Sequence, residues 1–318
     1  MPNIRRAVID VGTNSVKLLV ADVAGYEVRP ILEDSKQTRL GKGLYESHRL
    51  HPETVQHTAR VVEGFAAAAR ELKAQSVRVI ATSAARDAVN SPDLTSAIET
   101  ACGLKVEIIS GDQEADWAFQ GVTTDSALAQ VPLLLLDVGG GSTEFILGHG
   151  EHKHFRQSFP LGTVRLLEKF AYSDPPTAKE FSGCVDWLKA FLRKEVRPAL
   201  EPAMKRETRL DPRHREVQLV GTGGTTSILA RMELKMNGFE RERIESVHLS
   251  LEQLRGHRER LWSLPLEERQ RIIGLPPKRA DVILMGVVIY EAVMDEFGFA
   301  ELRVSTRGLR YAAVMDSK

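Results

Sequence analysis

The feature that most constrains this chain is a motif it uses twice. Residues 9–20 read IDVGTNSVKLLV and residues 136–147 read LDVGGGSTEFIL, so Asp10 falls on Asp137, Gly12 on Gly139 and Ser15 on Ser142. Each copy sets a small polar turn between two apolar runs rich in Val, Ile and Leu, which is the pattern of a buried hairpin. From Asp10 to Asp137 the offset is 127 residues, about the size of one domain. A chain that opens each half this way is expected to be a duplicated α/β fold with a cleft between the halves, a common place for a ligand.

Length and composition agree with two soluble domains. The 318 residues are 42% hydrophobic and 27% charged, the balance of a globular protein. Lys plus Arg and Asp plus Glu both number 43, so the formal net charge is zero. That argues against a general nucleic-acid or membrane binder, yet leaves room for a local anion pocket. No apolar run is long enough to span a bilayer, and MPNIRRAVID enters a strand without a signal-peptide core. The two cysteines, Cys102 and Cys184, form no CxxC pattern, so a cytoplasmic location is expected.

Along residues 1–124 the periodicity predicts β-β-β-α-β-α-β-α. The helix HPETVQHTARVVEGFAAAARELKA begins at Pro52, and PDLTSAIETACG ends at Gly103. TTDSALAQVP reads as a linker. The second domain, 125–304, restarts with the hairpin 133–148 and continues through helices at about 178–206 and a charged loop, KRETRLDPRHRE. It then reaches VQLVGTGGTTSILARME, a strand, Gly-rich turn and helix. A last helix at about 305–318 is expected to pack back onto the first domain.

The turns carry the chemistry. Holding a phosphate on a backbone needs N–H groups without partners and no Cβ in the way. Gly139, Gly140 and Gly141, followed by Ser142 and Thr143, offer this in the second hairpin. Gly12 with Thr13, Asn14 and Ser15 offers it in the first. Asp10 and Asp137 end their strands where a carboxylate could hold Mg²⁺ against phosphate oxygens. Glu144 follows the second turn, and Lys17 takes its place in the first. A third turn, with Gly223, Gly224 and Thr225, precedes a helix whose N-terminus favours an anion. Neither GxGxxG nor GxxxxGK[ST] occurs. Arg86, after a strand in TSAARDAVN, is read either as a bidentate phosphate clamp or as a surface ion pair. Asp112 and Glu114 in ISGDQEADWAF satisfy a helix dipole, and position alone does not single out Glu114 as a catalyst. Arg279, in GLPPKRADVI, is expected at the start of a buried helix as a distal phosphate contact. The histidines of HGEHKH (His149, His152 and His154) are read as a solvated hairpin turn. Trp117, Trp187 and Trp262 are read as packing residues.

The motifs VIDVGTNSVKLLV, TSAARDAVN, ISGDQEADWAFQGV, LLDVGGGSTEFILG, FPLGTVRL, VGTGGTTSILA and VSTRGLRYA stand in an order that resembles the exopolyphosphatase and guanosine pentaphosphate phosphohydrolase (Ppx/GppA) family. The resemblance covers nearly the whole chain. It implies two RNase H-like domains of the actin, Hsp70 and sugar-kinase fold flanking a phosphate-binding cleft. It also implies hydrolysis of a terminal phosphoanhydride by in-line attack of water, with Mg²⁺ or Mn²⁺. By position Glu114 matches the catalytic glutamate, and Asp137 and Glu144 match the acidic residues at the metal. Ser142 and the GGGS backbone, with Asn14 and Ser15, match the holder of the terminal phosphoryl group, and Arg86 a phosphate contact. Gln113 stands where many members carry a first glutamate, and Tyr311-Ala312 where an acidic residue and glycine are common. Lacking the helical His-Asp domain of long members, the sequence resembles a short two-domain form. The substrate implied is inorganic polyphosphate, of shorter chain length, or alternatively pppGpp, and a homodimer is expected. A small-molecule kinase or a nucleotide switch of the same superfamily is the reading from another class.

Overall fold

The computed structural model describes residues 3–210 and 216–316. It divides into two compact units, one of residues 1–124 with 307–318 and one of residues 125–306.

The first unit is built on a five-stranded sheet. Its strands are β1 (Ile4–Val11), β2 (Ser15–Ala24), β3 (Glu27–Gln37), β4 (Ser76–Ala81) and β5 (Val106–Ile108), in the order β3-β2-β1-β4-β5. The first three are antiparallel, and β4 and β5 run parallel to β1. Side chains on a strand alternate between faces, and here both faces are covered. Ile9, Val11, Leu18 and Val20 pack with the helices Pro52–Glu71 and Ser91–Cys102. Val8, Leu19 and Ala21 pack on the other face with Trp117 and with Leu309, Tyr311 and Val314 of the closing helix Leu309–Met315. Alternation therefore points Asp10 and Lys17 to this second face, toward the helix Gly111–Val122.

The second unit repeats the plan. Its strands are β6 (Leu133–Val138), β7 (Thr143–His149), β8 (His152–Phe159), β9 (Gln218–Thr222), β10 (His248–Ser250) and β11 (Glu301–Val304), ordered β10-β11-β9-β6-β7-β8. Read from β8, the order of first, second, third, fourth and fifth positions matches that of the first unit, and β10 is an added antiparallel edge strand. The hairpin registers repeat as well: Asp10 lies opposite Lys17, and Asp137 opposite Glu144, each pair 127 residues from the other.

Three stretches differ from what the sequence predicts. The stretch read as a linker contains a short helix, Ser126–Ala129, capped by the Asp125 side chain. The charged stretch read as a loop from Lys205 is helical to Leu210, as part of the helix Arg197–Leu210, because its polar residues ride on an amphipathic turn pattern. The remainder of that stretch, 211–215, lies outside the described residues. Arg279 is not at the start of the buried helix. It ends a short 3₁₀ turn, Pro277–Arg279, set by two consecutive prolines, and the helix begins at Ile283.

Candidate active site

In open α/β sheets ligands bind beyond the carboxyl ends of the parallel strands. In the first unit Asp10 is the last residue but one of β1, Arg86 follows β4 in the short helix Ser83–Asp87, and Glu114 follows β5 in the helix Gly111–Val122. The N-cap of that helix is filled by the Ser110 side chain, which accepts from the Gln113 N–H. Glu114 is therefore not needed as a cap. It is 9% exposed, and its Oε2 accepts from Arg86 Nη1 at 2.7 Å, while Asp112 is exposed. Arg86 Nη1 also donates to the Ile109 carbonyl at 3.0 Å. Both bonds use one nitrogen and leave the Nε–Nη2 edge of the guanidinium to face an anion. The two readings of Arg86, ion pair and phosphate clamp, are thus compatible.

Thr13, Asn14 and Ser15 are buried in the first turn, which is closed by the Gly12 N–H donating to the Ser15 carbonyl at 3.0 Å. The carbonyls of Thr13 and Asn14 accept from the backbone of residues 38–41. Asn14 Oδ1 accepts from Gln37, and its Nδ2 is buried without a hydrogen-bond partner. Asp10 Oδ1 is buried and likewise without one. Burial raises the Asp10 pKa above the ordinary 3.8, opposed by the charges of Lys17 and Arg310.

The second unit assembles its own group. Its turn closes the same way, Gly139 N–H to Ser142 carbonyl at 3.0 Å. The carbonyls of Gly139 and Gly140 accept from the backbone N–H groups of Thr163, Val164 and Arg165, and that of Gly141 accepts from Arg165 Nε at 2.8 Å. Among the described residues the only cis peptide is Asp174–Pro175, so these turn peptides are trans. A trans peptide opposes its C=O and N–H. The N–H groups of Gly140, Gly141 and Ser142 are consequently turned away from residues 163–165, as a run of donors suited to an anion. Ser142 is buried at the turn, whereas the Thr143 hydroxyl is buried against the Leu161 carbonyl and braces the turn instead of facing a ligand.

Beside the turn, Asp137 and Glu144 are directly opposite each other, and Glu144 Oε1 accepts from Ser158 Oγ at 2.7 Å. Two carboxylates in one cross-strand pair repel, where the matching pair in the first unit is Asp10 with Lys17. The exchange of lysine for glutamate is what makes this position fit a hard divalent cation with oxygen ligands. Of the three carboxylates expected to hold a metal, Asp10 has two cations near it in its own unit, while Asp137 and Glu144 face each other. Gly223 stands against Asp137: a Cβ there would lie 2.4 Å from Asp137 Oδ1, and its φ of +89° also favours glycine. Thr225 Oγ1 donates to the Val138 carbonyl at 3.3 Å. Arg279 Nη2 is 3.6 Å from where a Gly224 Cβ would sit, so Arg279 lies over the N-terminus of the helix Gly223–Glu233.

A family model described as the Ppx/GppA phosphatase family matches residues 19–317. The chain belongs to the Ppx/GppA family. Exopolyphosphatase 2 of Mycobacterium tuberculosis is 33% identical over 95% of this chain and 94% of its own length. A guanosine-5′-triphosphate,3′-diphosphate pyrophosphatase of Photobacterium profundum is 30% identical, and this chain spans 58% of that protein. The crystal structure of the Aquifex aeolicus Ppx/GppA family member superposes with a TM-score of 0.78 at 30% identity, covering 99% of this chain and 97% of that one. An exopolyphosphatase from Cytophaga hutchinsonii superposes with a TM-score of 0.83 at 27% identity, over 97% and 96% of the two chains. The fold is thus the duplicated actin-like α/β architecture of Ppx/GppA enzymes.

In this Ppx/GppA chain several supporting residues carry no local sign of their role, although Leu161-Gly162 and Arg310 stand within FPLGTVRL and VSTRGLRYA. Leu40-Gly41 and Leu161-Gly162 each follow the third strand of a unit and press on its turn; both leucines are fully buried. A Cβ on Gly162 would meet the Gly140 carbonyl at 2.4 Å. The signal was present as a second Leu-Gly repeat, masked because β2 and β3 are each three residues longer than β7 and β8, which shifts the pair by six residues against the 127-residue repeat. Arg310 donates to the Leu18 carbonyl at 2.6 Å and its charge acts on Asp10, yet nothing in GLRYA distinguishes it locally. Finally, His149 and His154 are not in a solvated turn: both converge on Glu207, whose side chain is fully buried. No helix among the described residues is long and apolar enough to cross a membrane.

Proposed function

We propose that the protein is an exopolyphosphatase that removes the terminal phosphate of inorganic polyphosphate by in-line attack of water. In this reading Glu114 orients the water and takes its proton. The bond from Arg86 and the walls of the buried helix hold its carboxylate in one orientation, so little ordering remains to be done at the moment of reaction. The N–H groups of Gly140, Gly141 and Ser142 hold the terminal phosphoryl oxygens. The outer edge of Arg86 offsets charge on the non-bridging oxygens as the bond to phosphorus forms. Arg279, over the Gly223–Glu233 helix, takes a phosphate further along the chain. Asp137 and Glu144 would hold a Mg²⁺ or Mn²⁺ ion, which supplies positive charge against the phosphate oxygens. Orthophosphate leaves, and a chain shorter by one unit remains.

The observation that carries the reading is the contact of Glu114 with Arg86 at the carboxyl ends of β4 and β5. A buried carboxylate that neither caps its helix nor reaches solvent freely is poised for chemistry. Hydrolysis of pppGpp to ppGpp is the second reading, supported by the 30% identity to the pyrophosphatase, which is a much longer protein. The two are separated by following orthophosphate release with Mg²⁺ from polyphosphates of defined length, pppGpp and ATP. Polyphosphate is expected to be turned over at least about tenfold more efficiently, a difference of about 1.4 kcal/mol in transition-state binding. A preference for pppGpp would move the activity to the second reading.

A further inference from the structure

Away from this chemistry, the second unit holds a group of side chains for which a phosphatase has no evident use. Glu207, on the helix Arg197–Leu210, is buried between that helix and the β7–β8 hairpin. Its Oε1 lies 2.7 Å from His149 Nδ1 and its Oε2 lies 3.0 Å from His154 Nε2. The ligating atoms of all three residues fall within 4.8 Å of one another. Despite their closeness, His154 Nε2 and Glu207 Oε2 are both buried without completing a hydrogen bond. A carboxylate removed from water requires a compensating cation or a full set of donors, and among the described residues this one meets two imidazole nitrogens.

The geometry points to a transition-metal site: we infer that His149, His154 and Glu207 bind one Zn²⁺. Two imidazole nitrogens and a carboxylate are a donor set suited to zinc, which takes four ligands and readily leaves the last to water. The imidazoles are 35% and 25% exposed while the carboxylate is fully enclosed, so solvent reaches the open side of the cluster. His152 lies at the same end of the hairpin, opposite His149, on the exposed rim. Thr143, beside the glycine turn, and His149 are the two ends of β7. Six residue steps at about 3.3 Å separate them by roughly 20 Å. The ion would therefore fasten the hairpin to the helix Arg197–Leu210 without entering the phosphate chemistry.

The test uses the full chain, stripped of metal and titrated with Zn²⁺ and, for its absorption bands, with Co²⁺. The expected result is one tightly held ion per chain, a raised thermal midpoint, and Co²⁺ bands of four-coordinate N/O geometry. His149→Gln with His154→Gln should weaken that binding by more than about 100-fold, beyond the roughly 10–100-fold cost of losing an outer-shell partner. Both histidines are partly exposed, so this double variant should fold and retain phosphatase activity, and Asp137→Asn should keep the site intact. Glu207→Gln should also lose the ion. Zn²⁺ binding that survives the double histidine change, or disappears with Asp137→Asn alone, overturns the assignment. So does failure of the native chain to bind Zn²⁺, which would make the cluster an ion pair of imidazolium and buried carboxylate.

Discussion

At the scale of single residues, the molecule separates two aspartates that its repeat makes equivalent. Asp10 and Asp137 each stand one residue before the end of matching strands, but the residue opposite is Lys17 in one case and Glu144 in the other. Asp10 is buried with a raised pKa because desolvation outweighs the pull of Lys17 and Arg310. The sign follows from proton linkage: the folded state holds this proton to higher pH than the unfolded chain does. The favourable contribution is therefore complete below the ordinary value of 3.8 and is lost as pH rises through the folded-state pKa. Asp10→Asn is accordingly expected to raise the thermal midpoint at about pH 8, with an advantage that shrinks steadily toward acid pH. Thermal melts across a pH series check this, and a variant less stable at every pH would contradict it.

At the scale of elements, the glycine turns were legible in the sequence because their residue types announce what the backbone must do. The Asp-Val-Gly pattern and the hairpin periodicity fall where the structure has turns at strand ends, whereas Gly223–Gly224, read as a turn, already open the helix Gly223–Glu233 directly after β9. What was not legible depended on distant partners. Glu114 could be read as a dipole complement until Ser110 was seen to fill the cap and Arg86 to meet the carboxylate. His149 and His154 looked like a polar turn because Glu207, more than fifty residues on, gives no local sign of facing them. Arg279 was misplaced for a local reason, since Pro276-Pro277 delays the helix to Ile283. The third turn yields a direct expectation. Gly223→Ala places a methyl against Asp137 in a strained backbone region, at a cost of about 1–3 kcal/mol. Thermal unfolding together with metal-dependent phosphate release should show both stability and activity falling. Unchanged activity would mean that Asp137 is not held where the reaction needs it.

For the whole molecule, the chain's last residues belong with its first. Residues 307–318 join the unit of residues 1–124, where Leu309, Tyr311, Ala312, Ala313 and Val314 are buried with Val8, Leu19, Ile80 and Trp117. Arg6 and Arg78 add bonds to the Met315 carbonyl and to Asp316. At about 1.5–3 kcal/mol for each large apolar side chain, the closing helix contributes more than about 5 kcal/mol, a large part of a domain's stability. A chain ending at Thr306 should therefore become protease-sensitive within residues 3–124, while residues 125–306 resist, as limited proteolysis would show. The energetic weight of this closing helix is not legible in the sequence, because apolar spacing in a seven-residue helix does not name the sheet it covers.

If Glu114 moves the proton of the attacking water, Glu114→Gln isolates that role, since the amide keeps the shape but cannot act as a base. Turnover of polyphosphate and its equilibrium binding should be measured on the same preparation. Turnover is expected to fall by about 10²–10⁴-fold while polyphosphate binding changes by less than about tenfold. Turnover within about threefold of the native enzyme would contradict it, and the base would have to be sought elsewhere.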